Sequence, residues 1–175
     1  MKRLAPFALL LPMLPMLLAA CGLQPMYAGG GHGAVAQGLA AIDVPPIEGK
    51  AGWLMRNALN DRLHTAGAGQ PRYRLDVRLD DRLEGLGLLA NDTIGRERRT
   101  LRARYQLVDL GTGAIVLDAT AGSDAGIDVA SSEYATVAAE QTALENLART
   151  VADRIVTSLA LHLRPAPAPA PALAQ

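Results

Sequence analysis

Residues 72–83 and 97–109 alternate apolar and polar side chains with a period of two, and that period belongs to a strand, not a helix. In the first stretch Tyr73, Leu75, Val77 and Leu79 point one way, and Arg74, Asp76, Arg78, Asp80 and Arg82 point the other. In the second, Leu101, Ala103, Tyr105 and Leu107 oppose Arg98, Arg102, Arg104 and Gln106. Each reads as a strand with one buried and one wet face, the pattern of an antiparallel sheet covered on one side. Leu110-Gly111-Thr112-Gly113 supplies a hairpin turn. Ala114 to Ser123 then forms the next strand, with Ile115, Leu117, Ala119 and Ala121 inward.

A sheet with one apolar face needs a cover. Trp53 to Ala66 reads as a helix: Met55, Leu59 and Leu63 share a face with Ala58 and Ala66, and Gly67 and Gly69 end it. Ser131 or Ser132 caps a second helix, striped with Val137, Leu144, Leu147, Val151, Ile155 and Leu159. At 1.5 Å per residue its thirty or so residues span about 45 Å. Pro165 stops it. Ahead of both helices, Leu39 to Val44 is a short strand ended by Pro45-Pro46. The order is strand-helix-strand-strand-strand-helix. It predicts an α+β fold: a two-layer α/β sandwich with two helices packed on one face of a mainly antiparallel sheet.

The ends of the chain read differently. Lys2 and Arg3 precede an apolar run, and Leu18-Ala19-Ala20-Cys21 follows it. This is the layout of a processed targeting segment. Pro6, Pro12 and Pro15 interrupt the run, which is shorter than the roughly 20 apolar residues of a spanning helix. Leu18-Ala19-Ala20-Cys21 resembles the bacterial lipobox. That resemblance implies cleavage before Cys21 and a covalent lipid on it, an S-diacylglycerol and an N-acyl chain such as palmitate. At about 0.8 kcal/mol per buried methylene, several acyl chains give a nearly permanent membrane anchor. Gly22, rather than aspartate, follows Cys21, and by the same resemblance implies release to the outer membrane. Expected boundaries are 1–20 for a signal peptide, 21–38 for a lipidated Gly/Ala tether, 39–164 for the sandwich domain, and 165–175 for a disordered Pro/Ala tail. The chain holds a single cysteine, so a lipidated Cys21 leaves no disulfide. Lys and Arg total 17 against 17 Asp and Glu, a balance that gives no reason to expect nucleic acid.

Catalytic chemistry has little to stand on. There is no G-x-S-x-G elbow. His32, His64 and His162 lack metal-ligand spacing. Gly29-Gly30-Gly31-His32-Gly33 lacks the flanking strand and helix of a phosphate loop. No enzyme, no cofactor and no metal are expected.

Two features carry more weight. If the long strands pair, Arg74, Arg78 and Arg82 lie beside Arg98, Arg102 and Arg104 on the wet face. Arginine's planar fork suits phosphate, so this face is a candidate surface for a phosphorylated ligand. It is also readable as a cross-strand Arg/Asp ladder serving solubility. The second feature is the connection 84–95. Its Leu86, Leu88 and Leu89 either contact a partner or lipid, or continue the strand with Leu83 and Leu89 in the core.

The start Cys21-Gly22-Leu23-Gln24-Pro25-Met26-Tyr27 resembles the opening of the alphaproteobacterial lipopolysaccharide-assembly lipoproteins of the LptE family, with Leu23 and Met26 as conservative departures. Arg56-Asn57 and Leu59 resemble that family's first helix. Tyr73-Arg74-Leu75 and Arg104-Tyr105-Gln106-Leu107 resemble its strand cores, and Ser132-Glu133-Tyr134-Ala135 the start of its last helix. The resemblance implies a lipid-anchored outer-membrane protein that plugs and helps assemble the LptD β-barrel and helps deliver lipopolysaccharide to the cell surface. With it the arginine face, Arg74, Arg78, Arg82, Arg98, Arg102 and Arg104, becomes the candidate lipopolysaccharide-binding surface. An accessory lipoprotein of a periplasmic phospholipid-transport system is the alternative. A lipid-anchored periplasmic enzyme is a third reading.

Overall fold

The computed structural model describes residues 33–65, 67, 69–88, 94–130 and 132–164. The expected signal peptide, Cys21, the Pro/Ala tail and Leu89 lie outside the described residues. The elements run α1 (Ala34–Ala40), β1 (Ile42–Asp43), α2 (Gly49–Leu63), β2 (Tyr73–Leu88), β3 (Ile94–Asp109), β4 (Ile115–Asp128) and α3 (Glu133–His162). The sheet order is β1-β2-β3-β4, with β1 parallel to β2 and the other pairs antiparallel. The helices cover one face, as the alternation requires.

The core forms where that apolar face meets the helices. Leu75, Leu101, Ala103, Tyr105 and Leu107 of the sheet are buried with Met55, Leu59 and Leu63 of α2. Leu144, Leu147, Val151, Ile155 and Leu159 of α3 complete the cluster. At the far end of the sheet Asp109 makes the turn into β4: its Oδ1 accepts from the backbone N–H of Gly111 at 2.9 Å and of Thr112 at 3.0 Å. Gly113 closes that turn at φ 71°, a conformation open to glycine.

Four expectations are corrected. The tether expected through Gly38 gives way to α1 from Ala34, because Val35 and Leu39, one helical turn apart, are both buried. The first strand shrinks accordingly to Ile42–Asp43. Within β4, Leu107 pairs with Leu117 but Val108 pairs with Ile115, so Val116 is an extra residue. The bulge turns Ile115 to the wet side, where it is 54% exposed instead of inward. Val137 is likewise exposed and Thr136 is buried in its place. Seven residues fall about 20° short of two full turns, so the stripe drifts along α3. The small side chains of Thr142, Ala139 and Ala143 line the side of α3 turned to β4. Ser132 holds the N-cap position without a side-chain bond, and its carbonyl accepts from Thr136 N–H at 3.1 Å.

α2 begins at Gly49, four residues before the expected Trp53, and ends at Leu63. Two glycines in its first turns hide it from propensity, and one of them is dictated by packing. A Cβ on Gly52 would lie 2.6 Å from the Ile47 carbonyl carbon. Gly52→Ala is therefore expected to destabilise the protein by about 1–3 kcal/mol, although alanine is the better helix former by roughly 1 kcal/mol. A urea unfolding midpoint at or above wild type would refute this.

Candidate ligand-binding face

The register places the six candidate arginines on one surface. Arg78 lies opposite Arg104, Asp80 opposite Arg102, Arg82 opposite Thr100 and Glu84 opposite Arg98. β3 and β4 continue the face: Arg96 opposes Asp128, Arg98 opposes Gly126, Arg102 opposes Gly122, and Gln106 opposes Asp118. Side chains directly across antiparallel strands share a face, so β4 brings Asp118, Asp124 and Asp128 onto the arginine surface.

Those acids occupy some of the arginines. Arg74 holds Asp76 with a two-pronged contact, Nε–Oδ1 at 2.9 Å and Nη2–Oδ2 at 3.0 Å. Arg82 reaches Asp80 at 3.0 Å. Arg104 grips Asp118 through Nε at 3.1 Å and Nη2 at 2.8 Å, and Gln106 adds a bond to the same carboxylate at 2.8 Å. These donors, Arg104 first, pull the Asp118 carboxyl down to about 2. Asp118 therefore stays ionised, and Arg104 engaged, until strongly acid pH. Arg96 pairs with Asp128 at 3.3 Å.

Arg78, Arg98 and Arg102 are different. Among the described residues their side chains have no ion pair and no hydrogen bond. Arg98 and Arg102 stand across from the glycines of β4, and a Cβ on Gly122 would sit 3.1 Å from Arg102 Cγ. Arg78 opens onto a recess of about 420 Å³ bounded by Pro45, Pro46, Asp76, Arg104 and Gln106. The face is thus part ladder and part free cation. Of the six, only Arg104 makes the expected cross-strand pair, with Asp118, while Arg74 and Arg82 hold acids two residues away on their own strand. The open guanidinium forks are those of Arg78, Arg98 and Arg102.

The apolar tip also divides. β2 runs to Leu88 and β3 starts at Ile94, so most of the connection is strand. Leu86 pairs with Arg96 and sits half-buried on the wet face. Leu88 is within β2. Leu83 is on the inner face but 43% exposed, so it does not join the core as strand continuation would have it.

Its neighbours explain why: the inner face turns polar at that end. Arg99 binds Asp81 through Nε at 2.9 Å and Nη2 at 2.7 Å, and donates through Nη1 to the Glu140 carbonyl of α3 at 3.1 Å. Bonding to Asp81 raises the Arg99 pKa. The pair ties the start of α3 to the hairpin. Sequence reasoning passed it over, though Asp81 and Arg99 both occupy inward positions of the alternation.

Among the described residues no group of three or more His, Cys, Asp or Glu could hold a metal ion. No helix there is long and apolar enough to cross a membrane.

The sheet and its helices have counterparts in known proteins. A family model described as LptE, lipopolysaccharide-assembly, matches residues 39–159. A crystal structure of a lipoprotein from Caulobacter crescentus CB15 is similar at 28% identity and a TM-score of 0.65, over 77% of this chain and 100% of that one. A minor lipoprotein from Acinetobacter baumannii matches at 14% identity and a TM-score of 0.55, over 73% of this chain and 94% of that one. Lipoprotein B from Nitrosomonas europaea matches at 12% identity and a TM-score of 0.52, over 68% and 79%. The last two support the fold alone. No curated protein matches this chain.

Proposed function

Since the chain belongs to the LptE family of lipopolysaccharide-assembly lipoproteins, we propose that it works at the outer membrane, held there by lipid on Cys21. It sits inside an LptD-type β-barrel, helps that barrel assemble, and helps pass lipopolysaccharide to the cell surface. Its role is binding and positioning, without catalysis.

The observation that carries the ligand half of this reading is the set of free forks at Arg78, Arg98 and Arg102. Lipopolysaccharide is a phosphorylated glycolipid. An arginine already gripped by an aspartate must give up that bond to take a phosphate, whereas a free one offers two parallel donors at once. The barrel half is supported by the charged outer face, which is compatible with a polar lumen. Leu86, half-buried at the far end of the hairpin, offers an apolar contact beside it.

Affinity purification of the full-length lipoprotein from native membranes tests the reading. A large outer-membrane barrel and lipopolysaccharide are expected to co-purify. Changing Leu86, Leu88 and Leu89 to Asp is expected to reduce barrel recovery while leaving the far-UV spectrum of the lipoprotein unchanged. Purification of the wild type without any barrel would sink the proposal.

A further inference from the structure

β2 is an edge strand for most of its length. β1 covers it only at Tyr73 and Arg74. The chain then reaches Pro45-Pro46, which have no N–H to extend the ladder. From Val77 to Gly85 no strand lies on the outer side of β2 among the described residues.

The backbone groups on that open side can be identified. Arg72 C=O accepts from Leu110 N–H, toward β3, while Tyr73 N–H donates to Ala41 C=O, toward β1. Backbone direction alternates along an antiparallel strand. The odd positions Val77, Leu79, Asp81, Leu83 and Gly85 therefore present their N–H and C=O to the free edge. Such an edge is a template for another strand.

The side chains select which strand. On the wet face β2 reads Arg74, Asp76, Arg78, Asp80, Arg82, Glu84, a strict alternation of charge sign. We propose that this edge pairs antiparallel with β2 of a second copy of the chain, about a two-fold axis at Asp81. That register sets Arg78, whose fork is open in the single chain, against the second copy's Glu84 and Asp80 against its Arg82, on both sides of the axis, and leaves Arg98 and Arg102 of β3 open to ligand. Centring instead on Asp80 or Arg82 sets like charges together, as does parallel in-register pairing. Asp81 also lies at the middle of the open stretch Val77–Gly85. About ten backbone hydrogen bonds would form.

The inner face fits the same register. Leu83, 43% exposed in the monomer, meets Leu79 of the second copy. Asp81 meets its own equivalent, but each carboxylate is held by Arg99 on the β3 side. An inward-pointing charge normally protects an edge, and here that charge is already neutralised within its own chain. The other edge lacks these properties. β4 carries only acids among the charges of its wet face, Asp118, Asp124 and Asp128, so it has no alternation of sign to give a charge-complementary register in self-pairing. Arg154 of α3 also occupies the Gly122 carbonyl of that strand.

The full-length lipoprotein in mild detergent, followed by sedimentation velocity through a dilution series, tests the proposal. Wild type is expected to pass from dimer to monomer on dilution. Arg82→Asp sets acids opposite each other at both symmetry-related contacts and is expected to weaken the dimer about tenfold or more. The double exchange Asp80→Arg with Arg82→Asp restores opposite charges and is expected to restore the dimer. Circular dichroism checks that each variant is folded. A wild type that stays monomeric at every concentration overturns the proposal. So does a dimer that Arg82→Asp leaves unchanged, the result expected of two chains that merely share a micelle. The measurement uses the lipoprotein alone, so its failure is distinguishable from failure of the barrel reading.

Discussion

Replacing Leu159 by alanine is expected to cost about 2–5 kcal/mol of folding free energy. Leu159 is 0% exposed and belongs to the cluster shared by the sheet and the helices. Along α3, the last turns are also where α1 docks: Gly38 faces the side chain of Leu163, which a Cβ would approach to 3.3 Å. Truncation at 159 removes the transfer energy of the lost atoms and leaves a cavity in packing that cannot close without moving a helix. The control is two residues away. Leu161 is 57% exposed, so Leu161→Ala is expected to stay within about 0.5 kcal/mol of wild type. Urea unfolding of both variants reads the difference. Equal midpoints would mean that α3 does not hold the core together.

Reversing Arg78, Arg98 and Arg102 to Glu is expected to lower affinity for purified lipopolysaccharide by about a hundredfold or more, from the loss of charge-assisted bonds and the addition of repulsion. Wild-type affinity is expected to fall with added salt, because the contacts are exposed and ionic, and the triple variant should lose most of that dependence. The choice of residues follows from the pairing. Arg104 is committed to Asp118 and Gln106, and Arg74 to Asp76. Neutralising Arg74 and Arg104 to Gln should therefore cost binding less than reversing the free three. Folding should be little disturbed, since the three free side chains are surface groups without partners. A folded triple variant that binds as well as wild type would reduce the face to a solvated ladder.

Period and parity decided what the sequence determined by itself. A strand repeats every two residues, so the inward set Tyr73, Leu75, Val77, Leu79, Leu101, Ala103, Tyr105 and Leu107 could be named without coordinates. Leu75 and the four of β3 are buried, and Tyr73, Val77 and Leu79 are partly buried against the same core. The same parity put Arg74, Arg78, Arg82, Arg98, Arg102 and Arg104 together on one face. It also fixed the α+β sandwich, because a one-faced sheet needs helices with matching stripes. Met55, Leu59 and Leu63 supplied one stripe, and Leu144 to Leu159 the other.

Only the tertiary structure decided the rest, and in each case because a distant partner made the choice. Val35 and Leu39 form a helix behind a glycine-rich stretch because there is a core for them to enter. Gly52 sits in α2 because the Ile47 carbonyl approaches it, not for any local preference. Ile115 turns outward because one extra residue in β4 reverses parity beyond it. The arginine face follows the same logic. Its residues were legible, but which of them are free was not, since Asp118 and Asp128 come from a strand whose register no local pattern reveals. Local chemistry names the faces of this chain, and long-range pairing decides which charges on them remain unspent.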